Sequence, residues 1–303
     1  MADSLKDKLK SGQFVMTAEV TPPLSADPAD LLAKALPLRG YADAVNVTDG
    51  ASAKTHLDAL ISAIILKQNG IEPILQITCR DRNRIALQSE LIGAAAMGIG
   101  NILILTGDDP KQGDQPDAKP VFDLDSGALI STAAHIRDKG ELPHGRKVGG
   151  KVDYIIGAAD APIDPPEGWT PKSLQKKVDA GADFAQTQFC MDPGVVRRYM
   201  QRLSDCGLGG KLHFLIGVAP LASAKSARWM KEKLFGVVIP DSIVDRMEAA
   251  ADPKAEGKAI AVELIAELAT IPGVSGVHLM APLNESAIPG VIEAARASLP
   301  ARG

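Results

Sequence analysis

The sequence predicts an α/β chain folded as a single (β/α)8 (TIM) barrel, with a helix ahead of the first strand and an extra helix before the last. Three observations carry this expectation. Eight short aliphatic or β-branched runs recur along the 303 residues, each followed by a helical pattern. The first four begin at 14, 43, 72 and 101, a step of about 29 residues, the size of one strand–helix unit. The runs are largely apolar rather than strictly alternating, as parallel strands covered on both faces should be. Eight units of near-constant length favour closure over an open doubly wound sheet.

The elements follow in order. The charged opening MADSLKDKLKSG has no apolar centre, so it reads as a short helix and not as a secretion signal. FVMTAEV (14–20), DAVNV (43–47), EPILQIT (72–78) and NILILTG (101–107) are the first four strands. KVDYIIGAA (151–159), DFAQTQF (183–189), KLHFLIGV (211–218) and GVHLM (276–280) complete the eight. Helical patterns fill ADLLAKAL (29–36), THLDALISAIILKQ (55–68), RNRIALQSELIGAAAM (82–97), SLQKKVDAGA (173–182), VVRRYMQRL (195–203) and AIAVELIAELA (259–269). Two connections are longer. One is 107–150, rich in Asp, Gly, Pro and Lys; the other is 235–258, where FGVVIPDSIVDRM predicts the extra helix. No linker composition divides the chain, so residues 1–303 are expected to form one domain.

Composition narrows the function classes. Hydrophobic residues are 46% and charged residues 23%, a globular balance, while aromatics at 4% predict an aliphatic core. A net charge of −4 with dispersed Lys and Arg argues against a nucleic-acid surface. An anionic ligand would have to be held locally, by backbone amides and a few cations. Cys79, Cys190 and Cys206 lie far apart and predict neither a disulfide framework nor a metal site, which suits a reducing cytoplasm. The longest apolar stretch, 91–105, is broken by glycines and too short to span a membrane. The five histidines lack metal-type spacing and read as core or surface residues. No G-x-G-x-x-G follows a strand and no P-loop is present.

Polar residues collect at the strand ends, where a barrel carries its active site. They are Glu19; Thr48, Asp49 and Gly50; Gln76, Thr78, Arg80 and Asp81; Thr106, Gly107, Asp108 and Asp109; Gln186, Thr187 and Gln188; and, after the last strand, Asn284 and Glu285. Several have plainer readings. Asp108-Asp109-Pro110 could be a turn, Gln188 a satisfied core amide, and Lys177 part of a solvated helix face. Glu19 is harder to dismiss: a carboxylate within an apolar strand needs a partner, a strand-end position or a shifted pKa.

Six segments, in this order, resemble the methylenetetrahydrofolate reductase family, in its compact bacterial form, over nearly the whole chain. They are AEVTPP (18–23), VNVTDGA (45–51), LQITCRDRN (75–83), ILILTGDDP (102–110), KKVDAGADFAQTQFCMD (176–192) and IGVAPL (216–221) leading to IPDSI (239–243). The resemblance implies a flavin on the C-terminal face, FAD with FMN as the alternative, and NADH or NADPH as electron donor. It implies reduction of 5,10-methylenetetrahydrofolate to 5-methyltetrahydrofolate, in one-carbon metabolism that includes methionine biosynthesis. Glu19 matches the general acid that protonates the departing ring nitrogen, a role for which its pKa is expected to be raised. Asp108 matches the acidic residue near flavin and folate, whose charge stabilises an iminium cation. Gln188 matches an amide at the pterin edge, and Asn284 is assigned to the substrate side. Thr48, Gly107 and Lys177 match flavin contacts, Lys177 towards the pyrophosphate; Asp123 and Ser126 fall in the adenosine-side loop.

Four positions depart from some members of the family. Gln76 stands for His, Thr106 for Arg, Asp160 for an aromatic and Ala224 for Phe; the first three are carried as cofactor-side residues. No metal, nucleic acid or membrane partner is expected, and homo-oligomerisation is left open. Two other readings use a similar barrel: a pterin-binding methyltransferase serving a corrinoid protein, and a non-catalytic subunit of a methyl-transfer complex. A scaffold would not need Glu19, Asp108 and Gln188.

Overall fold

Strands β1 (Val15–Val20), β2 (Ala44–Val47), β3 (Pro73–Thr78), β4 (Asn101–Leu105), β5 (Ile155–Asp160), β6 (Phe184–Phe189), β7 (His213–Val218) and β8 (Val274–Leu279) pair side by side in chain order. Every pairing is parallel, and β8 closes on β1 through Val15–Gly276 and Thr17–His278. The expected closed (β/α)8 barrel is therefore present. The structure is a computed structural model that describes residues 3–281 and 284–299.

Helices surround the sheet: α1 (Leu5–Lys10), α2 (Pro28–Ala35), α3 (Ala59–Gln68), α4 (Arg84–Ala96), α5 (Ser126–Lys139), α6 (Lys172–Asp179), α7 (Pro193–Asp205), α8 (Ala224–Lys233), α9 (Asp241–Ala249), α10 (Pro253–Leu268) and α11 (Ile288–Ser298). The expected N-terminal helix is α1, and the extra helix is α9. Among the described residues no helix is long and apolar enough to cross a membrane.

All eight strands differ from the sequence reading by at least one residue, and two of the differences have a visible cause. β5 begins at Ile155, because Lys151 and Asp153 pair with each other outside the sheet. β4 stops at Leu105, ahead of Gly107, whose φ of +95° cannot continue a strand. The polar connection 107–150 also hides a helix. Asp125 caps α5 by accepting from Ala128 N at 2.7 Å, and Gly140 at φ +62° ends it. Ser126 is thus the first residue of a helix and not part of a loop.

Apolar residues fall into two layers. The larger lies between sheet and helices, built from outward residues such as Met16, Val45, Ile77, Ile104, Ile156 and Ile216. The smaller fills the lower barrel lumen: Val15, Ala44, Ile74, Leu103, Ile155, Phe184 and Leu215, with Leu5 and Leu9 of α1 packed against them. Glu72 accepts from Leu5 N, and Asp43 binds Lys8, which fastens α1 across the bottom of the barrel. The lumen is therefore closed at one end, and ligands must approach from the strand C-termini.

Candidate active site

Above the apolar plug the lumen turns polar. Thr17, Asn46, Gln76, Gln186 and His278 are all buried. Asn46 Nδ2 donates to Gln186 Oε1 at 2.6 Å, and Gln186 Nε2 donates to Thr17 Oγ1 at 3.1 Å. His278 Nδ1 lies 3.0 Å from Thr17 Oγ1 and 3.3 Å from Gln186 Nε2. Strand alternation explains the cluster: one step of two residues moves a side chain up the same face.

Glu19 sits at the top of this network. Gln76 Nε2 donates to Glu19 Oε2 at 3.0 Å, and His278 Nε2 stands 3.5 Å from the same oxygen. The side chain is 25% exposed. Glu19 thus has both partners and a position near the strand end. His278 is buried, as the core-or-surface reading of the histidines allows, and its ring also joins the lumen network to Glu19. The signal available was its place on a strand directly beside Thr17.

The other expected residues ring the mouth at different depths. Thr48 Oγ1, at the end of β2, is buried and has no hydrogen-bond partner. Thr106 Oγ1 reaches Ser126 Oγ at 3.4 Å. Gly107 is held where a Cβ would lie 2.9 Å from Arg80 Cβ and 3.2 Å from Thr78 Cβ. Asp108 is exposed; its carbonyl accepts from Arg80 Nη1 at 3.4 Å. Asp109 does form the turn, accepting from Lys111 N at 3.0 Å. Gln188 lies where the β6–β7 register shifts; its Oε1 accepts from Phe189 N and its Nε2 donates to Phe235 O. Asn284 donates to Pro220 O at 3.1 Å.

Three residues are more heavily committed than the sequence implied. Lys177 is not on a solvated helix face: its Nζ donates to Ala159 O at 2.6 Å, and burial lowers its pKa, partly offset by Asp160. Asp160 accepts from Tyr199 Oη at 2.7 Å, and burial raises its pKa against that bond. Asp123 is gripped by Arg84 through Nε and Nη2 at 2.8 and 2.7 Å, which holds its carboxyl below the usual range.

Arg80 and Asp49 belong to the mouth but were assigned no role from the sequence. Arg80 bonds Asp81 twice at 2.7 Å, Gly50 O at 3.2 Å and Asp108 O at 3.4 Å, so one guanidinium ties the loops after β2, β3 and β4 together. Asp49 accepts from Thr78 N and Oγ1 and pairs with Arg82, which also binds Glu90. A cavity of about 420 Å³ opens beside them, lined by Asp49, Gly50, Lys54, His56, Arg80 and Asp81 among others. Among the described residues no group of His, Cys, Asp and Glu is arranged to hold a metal.

The arrangement offers a carboxyl group at a partly exposed strand end, backed by a fixed amide and an imidazole. Comparison with known proteins identifies the family. The sequence profile of the family described as methylenetetrahydrofolate reductase matches residues 4–296. Methylenetetrahydrofolate reductase 1 of Schizosaccharomyces pombe is 25% identical, over 82% of this chain and 40% of its own length. Methylenetetrahydrofolate reductase (NADH) 1 of Arabidopsis thaliana is 25% identical, over 92% and 48%. The 5,10-methylenetetrahydrofolate reductase of Escherichia coli is 24% identical, over 77% and 72%. The chain thus spans less than half of those two eukaryotic relatives. With a profile match over nearly its full length, this chain belongs to the methylenetetrahydrofolate reductase family.

Proposed function

We propose that the chain reduces 5,10-methylenetetrahydrofolate to 5-methyltetrahydrofolate, with NADH or NADPH as donor and a flavin, FAD or FMN, bound at the barrel mouth. The observation that carries the reading is Glu19, partnered by Gln76 and His278 at the top of a closed lumen. Reduction requires the substrate's five-membered ring to open, and the departing nitrogen must receive a proton. Glu19 is the group that delivers it. Gln76 fixes its Oε2, and His278, anchored through Thr17 and Gln186, limits its movement. Asp108 supplies negative charge to an exposed strand end, where a cationic iminium would be favoured. Gln188 and Asn284 are assigned to substrate.

The ring end of the mouth fits a flavin. Thr48 Oγ1 is a buried hydroxyl with no partner, the kind of group a bound heterocycle satisfies. Thr48, Gln76, Thr106 and Gly107 would hold the ring side, and Asp123, Ser126, Asp160 and Lys177 the nucleotide side. When bound, the flavin supplies the hydride chemistry. Anaerobic turnover of methylenetetrahydrofolate with each nicotinamide, followed by chromatography of any cofactor released on denaturation, tests the proposal. Formation of 5-methyltetrahydrofolate with a released flavin is expected. Absence of folate reduction with either donor would refute it.

A further inference from the structure

Phe235 is 93% exposed, more than any other large apolar side chain among the described residues. Its backbone, by contrast, is closely held. Val238 N donates to Phe189 O at 2.9 Å and Met191 N donates to Val238 O at 2.7 Å, so the segment after α8 runs beside the end of β6. Gly236 takes φ +74°, and a Cβ there would lie 3.1 Å from Ala161 Cβ and 3.8 Å from Gln188 Cγ. The chain is pressed against the mouth on one side of a phenyl ring left in water. Folding gains nothing from that ring.

We propose that Phe235 is a ligand-contact residue whose ring stacks on the pterin of methylenetetrahydrofolate. The inference rests on the reading above, that folate binds at Gln188. Two observations join Phe235 to that position. Gln188 Nε2 donates to Phe235 O at 3.3 Å, a long bond that an incoming polar edge can replace. A Cβ added at Gly236 would touch the Gln188 side chain, so the two backbones run close together there. A pterin is flat and heteroaromatic, with an amide-like edge for Gln188 and a face to be covered. Rotation about χ1 moves a phenyl ring between staggered positions without moving this anchored backbone. An offset-stacked arrangement is the geometry that aromatic pairs prefer.

Binding of tetrahydrofolate, which is not turned over, tests the proposal with the full chain. Calorimetric Kd values are compared for wild type, Phe235→Ala and Phe235→Tyr, with melting temperature and NADH affinity measured alongside. Phe235→Ala should weaken tetrahydrofolate about tenfold, the effect of losing one stacked ring. Phe235→Tyr should restore it, while melting temperature and NADH affinity stay unchanged. In Phe235→Trp, tetrahydrofolate should quench fluorescence beyond the quenching of Trp169 and Trp229 in wild type. Equal affinity in Phe235→Ala and wild type would overturn the stacking role and leave the folate reading intact. Failure of wild type to bind tetrahydrofolate would overturn both.

Discussion

Replacing Glu19 with Gln separates proton delivery from everything else the mouth does. The amide keeps the carboxylate's shape, and an oxygen remains to accept from Gln76 Nε2, now 3.0 Å from Glu19 Oε2. The structural loss is part of one hydrogen bond, about 1 kcal/mol. In a chain of this size that lowers the melting temperature by only about 2 °C. Losing a positioned acid slows its step by roughly 10²–10⁴, about 3–5 kcal/mol of barrier. The catalytic effect therefore exceeds the structural one several-fold, and the two are separable. The assay compares NAD(P)H oxidation with a quinone acceptor, which needs no folate proton, against reduction of methylenetetrahydrofolate. Glu19→Gln should retain the first and lose the second. Folate turnover within about threefold of wild type would refute the assignment.

Other substitutions probe the surrounding shell. Asp108→Asn should cut folate reduction about tenfold or more with little change in melting temperature, because the side chain is exposed; a drop in stability with normal turnover would make Asp108 a turn residue only. His278→Gln should slow folate reduction while quinone reduction persists, since the ring backs Glu19; folate reduction at the wild-type rate would reduce His278 to packing. Gly157→Ala would place a Cβ 2.3 Å from Phe184 Cζ in the plugged lumen, and calorimetry should record about 1–3 kcal/mol of destabilisation. Burial pushes Glu90 up to about 7 against the pull of Arg82, with Asp49 adding to the push. Between its ordinary value of 4.5 and about 7 the folded chain keeps a proton that the unfolded chain releases. Stability must therefore fall as pH rises through that window, by up to about 3 kcal/mol. Glu90→Gln should flatten the decline in denaturant titrations at pH 5 and pH 8.

The barrel was legible because its signal is local and repeated. Apolar runs at a fixed step need no knowledge of partners, and all eight strands overlap the runs read from sequence. α5 escaped because its capping Asp125 and terminal Gly140 sit in a polar stretch whose helical face is modest. The placement of Glu19, Thr48, Gln76, Asp108 and Gln188 at or near strand ends was legible for the same reason as the barrel. The depth of the site was not. The bonds joining Gln186 to Thr17 and Asn46 span 169 and 140 residues, and such pairings come from barrel closure alone. The salt links that occupy Asp123 and Lys177's contact with Ala159 O were hidden too, since a charge in sequence carries no record of its partner.

The two halves of the lumen explain why the chemistry sits where it does. Below, Val15, Ile74, Ile155 and Leu215 exclude water, and α1 seals them. A polar group stranded there would cost several kcal/mol. Thr17, Asn46, Gln186 and His278 lie just above and avoid that cost by satisfying one another, so the network is fixed before any ligand arrives. Free bonding capacity is thereby displaced upward, to the Thr48 hydroxyl and the Asp108 carboxylate, with Glu19 between network and solvent. In the proposed reaction a proton donor so placed would have its position set by the interior and would meet water at its outer side. Substituting Asn46 or Gln186 should therefore disturb Glu19 without touching ligand, whereas substituting Thr48 should weaken cofactor binding and leave Glu19 in place.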